Sequence, residues 1–536
     1  MNHSQNTPMK KIFILLFSIV ASISITNAEI IEKVQIGDLY YNLDTDAQTA
    51  EVTYKERFPE NDSMIVANIP SSVEYNAQTY PVTGIGEYAF NSCMNLTTVT
   101  IPNTVTTIGN AAFFLCRSLK SISIPNSVVN IGNSVFSSCD SLPIINNIRY
   151  ADTYLVEAID KTLLSYTIQE GTRWIGNSAF SWCENMTSII IPDGIISIGS
   201  YAFSNCTNLT SINIPNTVTD IEERAFSYCR SLASISVPNS VTNIGKFAFE
   251  SCRSLNEPIY NTHIFAFLPT SYSGAYSIPE GIEYIAGGAF YACVNLTSIT
   301  IPNSVTNIGD RAFGYCRSIT SFSIPNSVTY IGNDAFWSCD GLTEPVYNAH
   351  VFAYLPPSYL DTAYTIPEGI ESIAGSAFIY SEQLTSVTLP NSLTYIGENA
   401  FFYCKLTSIT IPQNVTYIGV SAFNDCDSLT SVTCLAAIPP TMGYDYSMNF
   451  SVFGGKYPDG YHMTLYVPAE SIDLYKAADQ WKDFNPIIGI DAPEEHEAVK
   501  NTSVLPAAST TKLLHNGQIL IRRADRTYTL TGTEVK

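Results

Sequence analysis

A phenylalanine that returns at a fixed interval constrains this chain more than any other feature. Phe90, Phe113, Phe136, Phe180, Phe203, Phe226, Phe249, Phe290, Phe313, Phe336, Phe378, Phe401 and Phe423 each sit in a copy of one pattern. That pattern is Leu-x-x-Ile-x-Ile-Pro-x-x-Val-x-x-Ile-Gly-x-x-Ala-Phe-x-x-Cys, and Leu296 to Cys316 matches it at every fixed position. Most steps are 23 residues, one is 22 (Phe401 to Phe423), and three are longer, at 44, 41 and 42. A period in this range calls for a solenoid, in which each unit has an apolar face that it can bury only against its neighbours. The 536 residues exceed what one compact core holds; a stack escapes that limit because its core grows in one dimension.

Within one unit the chemistry predicts local structure. Leu296, Ile299 and Ile301 have the spacing of a short strand, with Thr297, Ser298 and Thr300 between them. Pro302 has no N–H to donate and ends that strand. Asn303-Ser304 is turn chemistry, and Val305 and Ile308 point inward again. Gly309 is expected to supply a backbone geometry that other residues resist. Asp310 to Phe313 is expected to form one helical or 3₁₀ turn, with Phe313 as the large core filler and Cys316 behind it.

Twelve of the thirteen cysteines follow a register phenylalanine by three residues; Ser381 stands at that place after Phe378, and Cys434 takes an inward strand position. A row with this regularity reads as buried thiols behaving as small hydrophobes. The competing reading is disulfides between rungs, but side chains stacked in parallel have the wrong torsion for one.

The Ile-Pro and Ala-Phe-x-x-Cys signatures, repeated over roughly residues 85–435, resemble the BspA-like class of leucine-rich repeats. The resemblance implies a right-handed, β-rich solenoid with short helical or 3₁₀ turns and β caps at both ends. It also implies a surface protein that binds host matrix proteins or other cells without catalysis. Pro-Asn-Ser stands where the common repeat carries a capping asparagine, which puts the usual asparagine ladder in question.

In chain order, residues 1–28 read as a secretory signal peptide, with Lys10-Lys11 before an apolar run too short to span a bilayer. That predicts export by the general secretory route to the surface or beyond. Residues 29–84 read as an N-terminal cap with a hairpin over 38–43 and 50–54. The repeats fill 85–435. The three long steps (about 143–167, 257–277 and 344–365) hold variant rungs, read as strand pairs that keep the stack continuous. The last two share Glu-Pro-x-Tyr-Asn-x-His-x-Phe-Ala-x-Leu-Pro, beginning at Glu257 and Glu344. A C-terminal cap at 436–490 has an irregular stretch over 442–461, a strand at 465–469 and a short helix capped by Ser471. A linker follows at 491–511, then a tail at 512–536 with two short strands. The tail resembles those of exported Bacteroides-group proteins; a sorting segment and a plain terminal hairpin are both open.

Candidate chemistry is sparse. The net charge of −22 argues against nucleic-acid binding, which needs a basic face. No phosphate loop, nucleophile elbow or metal motif is present, so no catalytic residue, cofactor or metal is expected. His263 and His350 repeat at equivalent places, which points to packing or hydrogen bonding. Glu257 and Glu344 lie about four rungs apart, roughly 20 Å, too far for a glycosidase pair. Two surfaces remain as binding candidates. One is the hydroxyl-rich strand face, represented by Thr297, Ser298, Thr300, Thr385, Ser386 and Thr388, which equally well only solvates a sheet. The other is Tyr272, Tyr276, Tyr359 and Tyr364, aromatics of the variant rungs that the core pattern does not demand. The expected partner is an extracellular protein or glycoprotein. Glycan capture for nutrient uptake and a structural envelope role are the alternatives.

Overall fold

The structure is a computed structural model that describes residues 30–55, 63–445, 450–454 and 461–491, together with strands between 510 and 535. The expected signal peptide and most of the expected linker lie outside the described residues. The chain forms a β-solenoid in which each ordinary rung contributes up to two short strands to parallel columns. The first column pairs three-residue strands in register, as Thr98–Thr100 pairs Ser121–Ser123 with Val99 opposite Ile122. The second column pairs two-residue strands that end on the isoleucine before the glycine, as Ile108 with Ile131 and Ile198 with Ile221. Alternation puts these isoleucines and valines inside and leaves Ser and Thr outside.

The turn that carries the phenylalanine differs from the expected helical turn. Its hydrogen bonds run from residue i to i−3, as Ala312 N to Gly309 O and Cys316 N to Phe313 O. But Arg311 has φ +50° and Tyr315 φ +61°, and left-handed residues recur two before and two after all thirteen register phenylalanines. One such residue reverses the helical path, so no turn of helix can continue. Gly309 serves close approach: a Cβ there would lie 2.5 Å from the backbone nitrogen of Gly287 in the rung before.

Stacking the rungs makes the predicted core. The rings of Phe180, Phe203, Phe226 and Phe249 lie parallel at 5.3, 5.3 and 5.6 Å between centroids. All thirteen cysteines are buried thiols. A further rung turn lies within the stretch read as irregular. Phe423 N donates to Val452 O, and Phe453 stacks on Phe423 at 5.3 Å.

The variant rungs are strand pairs, as expected: Ile148–Ala151 with Tyr154–Ala158, Ile259–Tyr260 with Ile264–Phe267, and Val346–Tyr347 with Val351–Tyr354, all antiparallel. They do not keep the second-column ladder continuous. That ladder ends at Asn243–Ile244 and restarts at Ile264–Phe267, then ends at Tyr330–Ile331 and restarts at Val351–Tyr354. The apolar core divides into four clusters at the same three places. Aromatic pairs cross both ladder breaks. Phe267 lies 6.5 Å from Phe249, and Tyr354 stacks on Phe336 at 6.2 Å.

A buried asparagine stitches each of the same two seams. Asn261 Nδ2 donates to Pro238 O and Val241 O of the preceding rung, while its Oδ1 accepts from the amides of His263 and Ile264. Asn348 does the same with Pro325 O, Val328 O and the amides of His350 and Val351.

At the N-terminus, Leu39–Asp44 and Thr49–Thr53 form the expected hairpin, joined by the strand Ile30–Ile36 and a second hairpin, Ser72–Tyr75 with Gln78–Ile85. At the other end the strands Thr464–Pro468 and Ile487–Ile490 pair in parallel around a helix, Ile472–Ala477. Ser471 makes no side-chain cap on that helix; its Oγ donates to Ala437 O at 2.8 Å instead. The tail forms a four-stranded antiparallel sheet, Thr510–His515, Gln518–Arg523, Arg526–Thr529 and Glu534–Val535.

Candidate binding surface

The hydroxyl face is where the sequence placed it. Thr297, Ser298, Thr300, Thr385, Ser386 and Thr388 are all exposed on first-column strands or at their edge. Part of its bonding capacity is already used. Thr385 Oγ1 donates to Thr362 O at 3.1 Å, and Thr187, Thr407 and Thr430 make the same bond to the rung before. These threonines lace rungs together, which a β-branched hydroxyl at a strand edge can do without leaving its preferred rotamer.

The four tyrosines are half-buried, because the core requires them. Tyr276 pairs in register with the inward Ile299, and Tyr364 with the inward Val387. Tyr276 packs across Phe265 at 5.5 Å, and Tyr272 stands edge-on to it at 5.4 Å. Tyr364 and Tyr359 repeat the arrangement over Phe352. Tyr272 OH donates to Ala275 O at 2.7 Å, closing its own turn. A large ring fills space that the inserted strand pair opens, so these side chains are core plugs. The exposed aromatics of the variant rungs are Tyr260 and Tyr347, each 45% exposed and stacked on Phe265 and Phe352.

The reading from sequence missed the outer edge of the phenylalanine turns. Phe247, Tyr291 and Tyr315 meet edge to face at 5.1 and 5.4 Å, and Trp337, Tyr380 and Tyr403 follow at 5.9 and 5.7 Å. Cations lie over several of these rings: Arg224 over Phe247 at 4.9 Å, Arg317 over Tyr315 at 5.4 Å and Lys405 over Tyr403 at 5.2 Å. Tyr380 is 46% exposed, and Trp182 on an earlier rung 59%. The signal was present as aromatic residues one or two places from the register phenylalanine, where the pattern tolerates anything. Phe247 is buried and Tyr291, Tyr315 and Trp337 are half-buried, while Tyr380 and Tyr403 are exposed, and exposed aromatics are what recognition surfaces concentrate.

This edge also gathers charged side chains of both signs. Asp310, Asn333, Asp334 and Glu398 face Arg224, Lys246 and Arg311 across a polar groove of about 730 Å³. Burial pushes the Glu398 carboxyl above its ordinary range, and the nearby Asp334 and Asp310 add to the shift; Asn333 Nδ2 donates to it at 2.8 Å. His263 and His350 sit on the variant rungs, where their backbone carbonyls accept from Glu283 and Glu371 and thus tie adjacent rungs. Among the described residues, no group of three or more His, Cys, Asp or Glu side chains is gathered as a metal site would require.

The two later variant rungs interrupt the outer edge in the same way. Each supplies the phenylalanine position of the turn (Leu268 N to Ala289 O, Leu355 N to Ala377 O) but no outer turn. The backbone therefore skips a rung, with Phe247 N reaching Gly287 O and Asp334 N reaching Gly375 O. A cleft is left at each place. One, of about 820 Å³, is lined by Phe247, Glu250, Arg253, Phe267 and Tyr291. The other, of about 470 Å³, is lined by Asp334, Trp337, Asp340, Tyr354, Ser376 and Tyr380.

Among known proteins, the family model of the BspA type leucine rich repeat region matches residues 71–157, 157–277, 265–353 and 358–443. No curated relative matches. Among solved structures, a leucine-rich repeat protein from Bacteroides ovatus is 24% identical, with 85% of this chain and 100% of that one covered at a TM-score of 0.26. A leucine rich cell surface protein from Faecalibacterium prausnitzii is 26% identical, covering 79% and 98% at 0.28. The pneumococcal vaccine antigen PcpA is 16% identical, covering 87% and 99% at 0.27. These superposition scores are low, and the family assignment rests on the repeat match.

Proposed function

The chain belongs to the BspA-type leucine-rich-repeat family, and from that premise we propose that it is a non-catalytic binding protein of the cell surface or extracellular space. Its ligand is a protein or glycoprotein of host matrix or of other cells, and it acts as an adhesin. The observation that carries this reading is the outer edge, where Tyr291 meets Tyr315 under Arg317 and Tyr380 meets Tyr403 under Lys405 on successive turns of the stack. Rigid aromatics contribute contact area at low entropic cost, and the stack fixes their spacing before any partner arrives. Among the described residues no helix is long and apolar enough to cross a membrane. The signal-peptide pattern of residues 1–28 supports export.

The test is a binding titration of the exported chain against purified matrix proteins and mucin-type glycoproteins. A Tyr315→Ala/Tyr403→Ala variant is titrated alongside. Saturable binding that weakens about tenfold or more in the variant is expected. Absence of saturable binding to every partner would discard the adhesin reading in favour of a structural envelope role.

A further inference from the structure

We propose that the tyrosine face beside the third variant rung docks an arginine-bearing extended segment of a protein partner, with a guanidinium seated between the Tyr395 ring and the Glu398 carboxylate. This rests on the reading of the chain as a binding protein and names the partner chemistry at one place on it.

Each two-residue strand of the second column turns its first residue outward. Near the third variant rung those residues are aromatic, with Tyr330 before it and Tyr395 and Tyr417 after it. Tyr395 pairs in register with Tyr417, and their rings stack at 5.3 Å and 9°. Tyr330 is 51% exposed and Tyr395 39%. Glu398 follows three residues after Tyr395 and is partly exposed. Burial pushes the Tyr395 hydroxyl up, and Tyr417, Tyr330 and Glu398 add to the shift, so these side chains are neighbours. The missing outer turn brings them together. Asp334 N reaches Gly375 O, and Asn333 Nδ2 reaches Glu398 at 2.8 Å from the far side of the gap.

The second variant rung shows what the third lacks. There Lys246 takes the repeat position of Asn333, and Asp310 that of Glu398. The geometry is shared, because a Cβ at Gly287 would meet Lys246 and one at Gly375 would meet Asn333. At the second rung the Lys246 ammonium lies 4.0 Å from Asp310. At the third an uncharged amide faces Glu398, and among the described residues no cation pairs with that carboxylate. The nearby Asp334 has its own cation, Arg311 at 2.9 Å. The fold therefore supplies a cation at one seam and leaves the matching carboxylate without one at the other. The tyrosines are particular to the third rung as well, since Asn243 and Asn307 stand in the places of Tyr330 and Tyr395.

These features select the occupant. A carboxylate without a counterion beside electron-rich ring faces favours a cation and repels an anion, while a neutral group leaves the charge unanswered. The exposed ring faces favour a flat cation. A guanidinium stacks on an aromatic face and bonds a carboxylate through two N–H groups, which a hydrated ammonium does not do. The rings follow one another along a column of strands, a track for an extended chain whose alternate side chains face it.

The experiment titrates the full chain with short capped peptides in which glycine alternates with arginine, lysine or glutamate, read by calorimetry. Saturable binding of the arginine peptide is expected, about threefold or more tighter than that of the lysine peptide, with none of the glutamate peptide. It should weaken about tenfold in Tyr395→Ala and about five- to tenfold in Glu398→Gln, and be unchanged in Trp182→Ala. Asn333→Lys, which installs the cation of the second rung, should weaken it about tenfold as well. Far-ultraviolet melts check that each variant is folded, and Glu398→Gln keeps the shape of the side chain. Absence of binding, or a lysine peptide bound as tightly as the arginine one, overturns the proposal. So does binding kept in both Tyr395→Ala and Glu398→Gln, which would mean diffuse attraction to an acidic chain. Binding of matrix proteins and mucin-type glycoproteins is measured on the same samples. Loss of peptide binding with that binding intact discards this surface alone, whereas absence of both discards the adhesin reading as well.

Discussion

The thiol of Cys316 donates a hydrogen bond of 3.1 Å to the carbonyl oxygen of Phe290, in the preceding rung. That carbonyl already accepts from Cys293 N inside its own turn, so the thiol takes its second lone pair. The bond recurs at Cys116, Cys139, Cys206, Cys229, Cys252, Cys339, Cys404 and Cys426. A ladder of S–H groups thus joins rung to rung, in a repeat whose Pro-Asn-Ser turn lacks the usual capping asparagine. The cysteines are both core filler and inter-rung bond, which is a reason for the row to remain reduced.

Ser381 stands in that row without a thiol, 9% exposed, and its Oγ has no partner. An unpaired buried hydroxyl costs about 1–3 kcal/mol. Ser381→Cys should therefore stabilise the protein, by about 1 kcal/mol, since the equivalent thiol bond after the second variant rung is a long one (Cys293 to Leu268 O, 3.6 Å). A thermal melt checks this, and an unchanged or lower midpoint contradicts it.

Burial pushes the thiols of Cys183 and Cys434 up to about 11 and those of Cys293, Cys339 and Cys426 up to about 12, from an ordinary value of 9.0. A raised pKa on an acid means that the unfolded chain loses the proton first. The stability these thiols contribute is complete below pH 9 and is lost as pH climbs from there through 11 to 12. Each group adds up to about 1.4 kcal/mol per pH unit to the slope. The urea midpoint should be flat between about pH 6 and 8 and fall steeply above 9. A midpoint still flat at pH 10 would mean that the thiols are exposed or already oxidised.

Phe313 lies between Phe290 and Phe336, with centroids 5.0 and 5.5 Å away, and is fully buried. Phe313→Ala should cost about 3–5 kcal/mol. The loss should first appear as faster hydrogen exchange in the rungs of Phe290 and Phe336, because each rung packs only on its neighbours.

Asn261→Ala removes four hydrogen bonds at one seam and leaves Val241 O and the amides of His263 and Ile264 buried without that partner. A cost of about 3 kcal/mol or more is expected. Because the core divides at the same seam, calorimetry of the Asn261→Ala/Asn348→Ala protein should show several unfolding transitions, better separated than those of the unmodified protein. A single, merely shifted transition would show that the aromatic bridges alone hold the segments together.

How far the sequence could be read depends on the range of the interaction. Phe313 and Cys316 were legible because a periodic position repeats its surroundings, so each rung predicts the next. Tyr276 and Tyr364 were misread as surface groups. Their place opposite Ile299 and Val387 depends on the register of an inserted strand pair, which no single repeat encodes. Phe453 was hidden because the spacing to Phe423 breaks the period, although its stack on Phe423 continues the column. Ser471 looked like a cap by residue type, but its hydroxyl found Ala437 O nearer.

The sequence alone determined the solenoid, its period, its inward residues and the rows of phenylalanine and cysteine. Those follow from local spacing and from the inability of one rung to bury its own apolar face. Only the tertiary structure decided where the stack is seamed, which aromatics face solvent, and that Asn261 and Asn348 hold the seams. It alone placed Trp337, Tyr380 and Ser376 around one cleft. These relationships join rungs separated by an inserted one, so their partners are set by which turn is missing from the stack.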